Sequence, residues 1–109
     1  MYKLLYVDDI RKPNCNNYNI DDIQIDIAVS YIDAIDKIKS TKYDGIDLDH
    51  DLGQSKTGYD ICKYIVDNNI YFKNILLHTS NPVGKQNMFE LLNHYICINN
   101  LDTEITIFY

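Results

Sequence analysis

The chain has no tryptophan, a single arginine, two prolines and four glycines in 109 residues. Acidic side chains outnumber Lys and Arg by 16 to 10, giving a net charge of -6. One arginine and a negative balance exclude a broad surface for coating nucleic acid, because such binding rests on neutralising many phosphates. The three cysteines, Cys15, Cys62 and Cys97, are odd in number and form no C-x-x-C pair. They read as reduced thiols of a cytosolic protein rather than a disulfide framework. No apolar run approaches membrane-spanning length and no signal peptide is visible, so the expected location is cytoplasmic, with no membrane partner. Internal repeats, low-complexity tracts and linkers are also lacking. The length suits one domain, residues 1–109, with a modest core.

The scarce residue types are not scattered. Ile, Asn, Asp, Lys and Tyr are abundant, as expected of an AT-rich genome, a bias that carries no functional meaning. Against that background Arg11, Pro13, Pro82, Gly53, Gly58, Gly84, His50 and His78 all follow or end strand-like segments. So do two acidic runs: Asp8-Asp9, and Asp47-Leu48-Asp49-His50-Asp51-Leu52-Gly53 with Asp44 just upstream. If the strands before them lie side by side and parallel, their carboxylates converge at one sheet edge. Carboxylates so placed repel unless a cation or protons offset the charge. The economical expectation is a hard, oxygen-ligated divalent cation, Mg2+ or Mn2+. A metal reverses the local sign, so a small phosphorylated ligand or an RNA end remains an acceptable partner despite the net charge.

The pattern along the chain predicts alternating elements. Residues 2–7 read as a buried strand, 10–22 as a polar loop, and Ile23, Ile25 and Ile27 as a period-two strand. Ser30 with Asp33 resembles a capping box before Ile32, Ile35 and Ile38 at helical spacing. Residues 45–49 form the next strand. Thr57 with Asp60 caps a second helix carrying Ile61, Cys62, Ile65 and Val66, which Asn68-Asn69 ends. Residues 73–78 are a short strand. Asn81-Pro82 starts a third helix, with Met88, Leu91, Leu92, Tyr95 and Ile96 on one face. Residues 105–109 form a last strand. This order implies a mostly parallel sheet covered by helices, with ligands bound beyond the carboxyl ends of the strands. Asp8-Asp9, Asp49-His50-Asp51 and His78-Thr79-Ser80-Asn81 would all stand there.

These residues resemble a family. Asp8-Asp9, Asp49 and Thr79 are similar to the acidic pocket of response-regulator receiver domains, where acidic residues hold Mg2+ and a Ser/Thr contacts the phosphoryl group. The resemblance implies a flavodoxin-like fold with five parallel strands in the order 2-1-3-4-5. Three departures stand out. A loop replaces the first helix, the last strand has no lysine, and no helix follows it. The strings VDDIRKP, LDHDLG, KTGYDICKYI and HTSNPVGKQNM instead resemble the cyclic-phosphate-processing receiver family. That resemblance spans nearly the whole chain and implies action on cyclic phosphates.

The candidate site follows. Asp8, Asp9 and Asp49 are the expected metal ligands. Asp51 binds the metal by side chain or carbonyl, or only starts the turn before Gly53. Asp47 reads as a surface or helix-contact residue. His50 and His78 are candidates to divide the proton transfers that opening a cyclic phosphate requires, beside Asp49; the alternative is that they orient carboxylates. His94 reads as a helix-surface residue. Asn81 and Gly84 open a helix whose free N–H groups would cradle an anion, with Thr79, Ser80 and Lys85 contributing; the alternative is a cap with a solvated lysine. Arg11 clamps a phosphate or pairs with a local aspartate. The expected function is metal-dependent hydrolysis of a cyclic phosphate, on an RNA 2',3'-cyclic end or a small cyclic nucleotide. The alternatives are a module that sequesters such a ligand and a degenerate phospho-acceptor receiver.

Overall fold

The computed structural model describes residues 1–108. Its strands are β1 (Tyr2–Val7), β2 (Ile23–Ala28), β3 (Gly45–Leu48), β4 (Asn74–Leu77) and β5 (Glu104–Ile107); its helices are α1 (Tyr31–Ser40), α2 (Gly58–Asp67) and α3 (Pro82–Ile98). All strand pairs are parallel, in the order β2-β1-β3-β4-β5. This is the flavodoxin-like order that the resemblance to receiver domains implies. The expected strand over 105–109 begins one residue earlier, and its last residue, Tyr109, lies outside the described residues.

The starts of the helices follow the caps legible in the sequence. Asn81 accepts from the N–H of Gly84, with Pro82 at the first helical position. Thr57 and Asp60 form a reciprocal capping box. At α1 the box is incomplete: Ser30 accepts from Asp33, but the Asp33 carboxylate accepts from Val29 instead of Ser30.

Handedness then decides which face is covered. Each crossover through α1, α2 and α3 advances along the sheet in the same direction, so right-handed connections place all three helices on one face. Leu5, Val7, Ile46, Leu48, Ile75 and Leu77 point to that face and pack with Ala34, Ile61, Cys62, Ile65, Met88 and Leu92. The connection from β1 to β2 runs the other way, and it is the loop of residues 8–22, with one short 3-10 turn at Cys15–Asn17. Helices therefore cover one face only, as expected of a receiver-like sheet whose first helix is replaced by a loop and which has no helix after its last strand among the described residues. On the other face Leu4 and Tyr6 are buried with Tyr18 of the loop, outside the main core. A groove of about 490 Å3 remains beside them, lined in part by Tyr2, Tyr18, Leu76 and Phe108. The alternating isoleucines of β2 align with Tyr2, Leu4 and Tyr6, so they turn to this second face; Ile27 is 42% exposed. Ile32, expected on the inner face of α1, is 71% exposed, and Ala34 with Ile35 is buried instead.

The ladder continues one residue past the strands. The N–H of Asp8 bonds Ala28 O, that of Asp49 bonds Val7 O, and that of His78 bonds Leu48 O. These bonds bring the strand ends into register. Gly58 docks the start of α2 against the same edge: its N–H donates to His50 O at 2.8 Å. A Cβ at Gly58 would lie 1.9 Å from the backbone oxygen of Asp49. Gly58→Ala must therefore move β3 and α2 apart. The variant is expected to lose about 2 kcal/mol or more, the scale of overpacking. Urea denaturation checks this, and an unchanged midpoint would refute the close approach.

Candidate functional site at the carboxyl edge of the sheet

Asp8 follows β1, Asp49 follows β3 and His78 follows β4. Each offers one ligand atom, and these atoms lie within 4.8 Å of one another. All three are strongly screened from solvent, with Asp8 at 2% and Asp49 at 5% exposure. An open cavity of about 530 Å3 adjoins them, lined by Asp8, Asp9, Ile10, Arg11, Asp49, Asp51, Gly53 and Ser80. The four carboxylates expected as metal ligands thus share one cavity with the only arginine.

The hydrogen bonds show how the charge is held. Oδ1 of Asp8 accepts from the backbone N–H of Ile10 at 2.9 Å and of Arg11 at 3.0 Å. Its Oδ2 accepts from Arg11 Nε at 3.1 Å and pairs with His78 Nε2 at 2.9 Å. Arg11 also reaches Asp49 Oδ1 with its Nη2 at 3.4 Å. That same Asp49 oxygen accepts from the N–H of His50 at 2.8 Å. Among the described residues, Asp49 Oδ2 and the Asp9 carboxylate accept no hydrogen bond.

His78 is committed on both sides. Its Nδ1 pairs with Asp47, its Nε2 with Asp8, and its ring stacks on Tyr6 at 4.8 Å and 6°. Burial opposes a charge on this ring. The hydrogen bond and charge of Asp47, and then the bond to Asp8, outweigh burial and raise its pKa above the usual histidine value. For Asp8, burial favours the neutral acid, but the N–H groups of Ile10 and Arg11 and the His78 bond hold its pKa below the usual value. Asp47 is 2% exposed and accepts from Tyr18 Oη at 2.6 Å. Burial and that bond raise the Tyr18 pKa, keeping its hydroxyl a neutral donor.

Asp47 is the residue that sequence reasoning misjudged. It is neither a surface nor a helix-contact group; it is the buried partner of His78. The signal was parity. Tyr6 aligns with Asp47 and Asp47 with Leu76, so Tyr6, Asp47 and, two residues beyond Leu76, His78 share the face that lacks helices. Tyr18 lay in a loop that carried no pattern.

The remaining expected residues divide. Ser80 lines the cavity. Thr79 is buried, and its Oγ1 accepts from the N–H of Asn81 at 3.1 Å. The Asn81 side chain caps α3 and approaches His50 Nδ1 and Asp51 Oδ2, both at 3.4 Å. Space above Gly84 does not cradle an anion: a Cβ there would lie 2.4 Å from the His50 ring. The first turn of α3 instead seats that imidazole. Lys85 Nζ donates to Phe108 O at 3.2 Å, on the β5 side of α3 and outside the cavity lining. His50 Nδ1 pairs with Asp51 at 3.0 Å, and its Nε2 has no hydrogen-bond partner among the described residues. His94 lies on the exposed side of α3.

The donor set fits a hard divalent cation. Oxygen ligands dominate, several lone pairs are open, and four carboxylates face one guanidinium. Asp9, Asp49 and Asp8 would hold the ion, with Asp51 at the rim.

Comparison with known proteins bears on the family and the fold. The family model described as "Cyclic-phosphate processing Receiver domain" matches residues 3–94. The response regulator TrrA of Thermotoga maritima, solved in complex with Mg2+ and BeF, is 21% identical; the match covers 100% of this chain and 88% of that one, with a TM-score of 0.70. A response regulator of Burkholderia pseudomallei, solved with a phosphorylated aspartic acid, a calcium ion and citrate, is 14% identical. That match covers 97% of this chain and 59% of that one, with a TM-score of 0.63. No curated protein matches the chain. No helix among the described residues is long and apolar enough to cross a membrane.

Two consequences of the Asp47–His78 pair are measurable. Asp47→Ala leaves a buried imidazole and the Tyr18 hydroxyl without their acceptor, and should cost about 3 kcal/mol in denaturant unfolding; a loss below about 1 kcal/mol would mean that the pair is not holding the structure. The second concerns pH. A folded-state pKa raised above the unfolded one gives stability that is full below the ordinary histidine value and fades as pH rises through the folded value. With a chelator present, wild type should lose stability in that alkaline-going window and His78→Gln should not. Parallel pH profiles for the two proteins would contradict the assignment.

Proposed function

Because the chain belongs to the family of cyclic-phosphate processing receiver domains, we propose that it is a divalent-cation-dependent hydrolase of a cyclic phosphate. The substrate is an RNA 2',3'-cyclic end or a small cyclic nucleotide, and the cation is Mg2+ or Mn2+. The observation that carries this reading is the shared cavity, in which Asp8, Asp9, Asp49 and Asp51 face the only arginine and Ser80. The Mg2+ complex of the Thermotoga response regulator supports the choice of cation.

In the reaction, the oxygen of water bonds to phosphorus and one ring P–O bond breaks. The water gives up a proton and the freed sugar oxygen takes one, leaving a phosphate monoester. A bound divalent cation supplies charge that polarises a phosphoryl oxygen and acidifies water. The chain's own residues do the rest. Arg11 and Ser80 face the cavity and hold phosphate oxygens. His50 stands next to Asp49 and Asp51 but outside the cavity lining. Its Nε2 has no hydrogen-bond partner among the described residues while Asp51 pairs with its other nitrogen, so it is the histidine better suited to move a proton. His78 has no such nitrogen, so its part is to hold Asp8 in place. The proton work that two histidines were expected to share falls to one.

That commitment of His78 also favours a second reading, a module that binds a cyclic phosphate without turnover. A phospho-acceptor role for Asp49 has less support, because the strand Glu104–Ile107 contains no lysine.

The test is incubation with RNA bearing a 2',3'-cyclic end and with a panel of cyclic nucleotides, each with Mg2+ or Mn2+, and product analysis by mass spectrometry. Cation-dependent opening to a monoester is expected. His50→Ala should slow it roughly 100-fold with the fold intact, the scale of a general acid or base. Tight binding with no product under any cation would replace the hydrolase with the sequestering module. Prompt stoichiometric phosphorylation of Asp49 by small phosphodonors would restore the receiver reading.

A further inference from the structure

Arg11 occupies the place where its own chain most needs a cation. Its guanidinium spans Asp8 Oδ2 and Asp49 Oδ1, at 3.1 and 3.4 Å. A carboxylate has about four acceptor positions. Those of Asp8 are taken by two backbone N–H groups, Arg11 Nε and His78 Nε2. A divalent ion that takes an Asp8 oxygen must therefore displace one of these donors. The backbone donors belong to the turn that follows β1 and cannot leave without unmaking it. His78 is fixed by Asp47 and by the Tyr6 ring, with its side chain only 10% exposed. The Arg11 side chain is 49% exposed and lies along the cavity, so it is the one donor free to move. A guanidinium and a divalent ion also repel when both sit against the same carboxylates.

We propose that Arg11 and the divalent cation compete for Asp8 and Asp49, so that loading the cation releases Arg11 to take a ligand phosphate. This rests on the cation site of the proposed function and adds an order of events to it. Without the ion, Arg11 is the internal counter-charge that keeps the carboxylates together. With the ion bound, their charge is offset and the guanidinium, still tethered beside the cavity, is available for bidentate contact with phosphate. Cation and phosphate then bind cooperatively, through exchange of a single side chain.

The test uses the whole chain and three probes: Mn2+ alone, Mg2+ alone and inorganic phosphate. Arg11→Gln is expected to bind Mn2+ about tenfold more tightly than wild type by electron paramagnetic resonance, the scale of one charge-assisted contact. Destabilisation of the fold could only weaken binding, so tightening cannot come from damage, and thermal melting of metal-free Arg11→Gln establishes that the variant compared is folded. In wild type, phosphate should bind several-fold more tightly with Mg2+ than without, and in Arg11→Gln this gain should shrink. Since Arg11 is the only arginine, its side-chain Nε–H gives one identifiable NMR signal, which should move on addition of Mg2+. Equal or weaker Mn2+ binding by Arg11→Gln, or an Arg11 signal insensitive to saturating Mg2+, overturns the exchange while leaving the cation site standing. Failure of wild type to bind Mn2+ overturns both the exchange and the metal-dependent function.

Discussion

Mutual repulsion of carboxylates at the carboxyl edge of a parallel sheet is the constraint on which this site depends. Asp8 and Asp49 are nearly buried within ligand distance of each other, where water screens them poorly. The protein offsets that repulsion with fixed donors. Two backbone N–H groups, His78 and Arg11 serve Asp8; His50 N–H and Arg11 serve Asp49. The sheet order makes this arrangement available, because β1 lies between β2 and β3 and β3 lies beside β4. Acidic residues from two separate segments, with His78 from a third, meet at one edge because β3 lies between β1 and β4.

The side of the sheet without helices gives the site its second layer. In place of a helix, the β1–β2 loop delivers Arg11 to the cavity and Tyr18 to Asp47. The chain Tyr18–Asp47–His78–Asp8 therefore runs from the loop to the carboxylate edge. Buried polar groups of this kind are stable only when every member is satisfied, and among the described residues no buried side-chain polar atom lacks a partner. The loop thus contributes both to the geometry of the acidic residues and to their neutralisation, and the two roles fall on different residues.

Most of the fold was legible because its signals are local. Caps at Ser30, Thr57 and Asn81 mark three helix starts, and the apolar strands follow from alternation and the acidic ends. The resemblance to receiver domains supplied the strand order. What could not be read depended on which face a side chain meets. Ile32 fits a helical pattern but points outward, and the isoleucines of β2 alternate correctly yet face the side without helices. In the site, the grouping of Asp8, Asp9, Arg11, Asp49, Asp51 and Ser80 was legible from strand ends. The pairing of His78 with Asp47 was not, because it needs inter-strand register. Gly84 illustrates a further limit: a glycine at a helix start signals close approach but not of what, and here the neighbour is His50.

The central claim is that these carboxylates form a divalent-cation site whose occupancy frees Arg11. Anomalous diffraction from a crystal grown with Mn2+ tests it directly. The account predicts one strong anomalous peak among Asp8, Asp9 and Asp49, with the Arg11 guanidinium turned away from Asp8 into the cavity. A lattice with ample Mn2+ but no peak at these residues, and Arg11 still bridging Asp8 and Asp49, would contradict it.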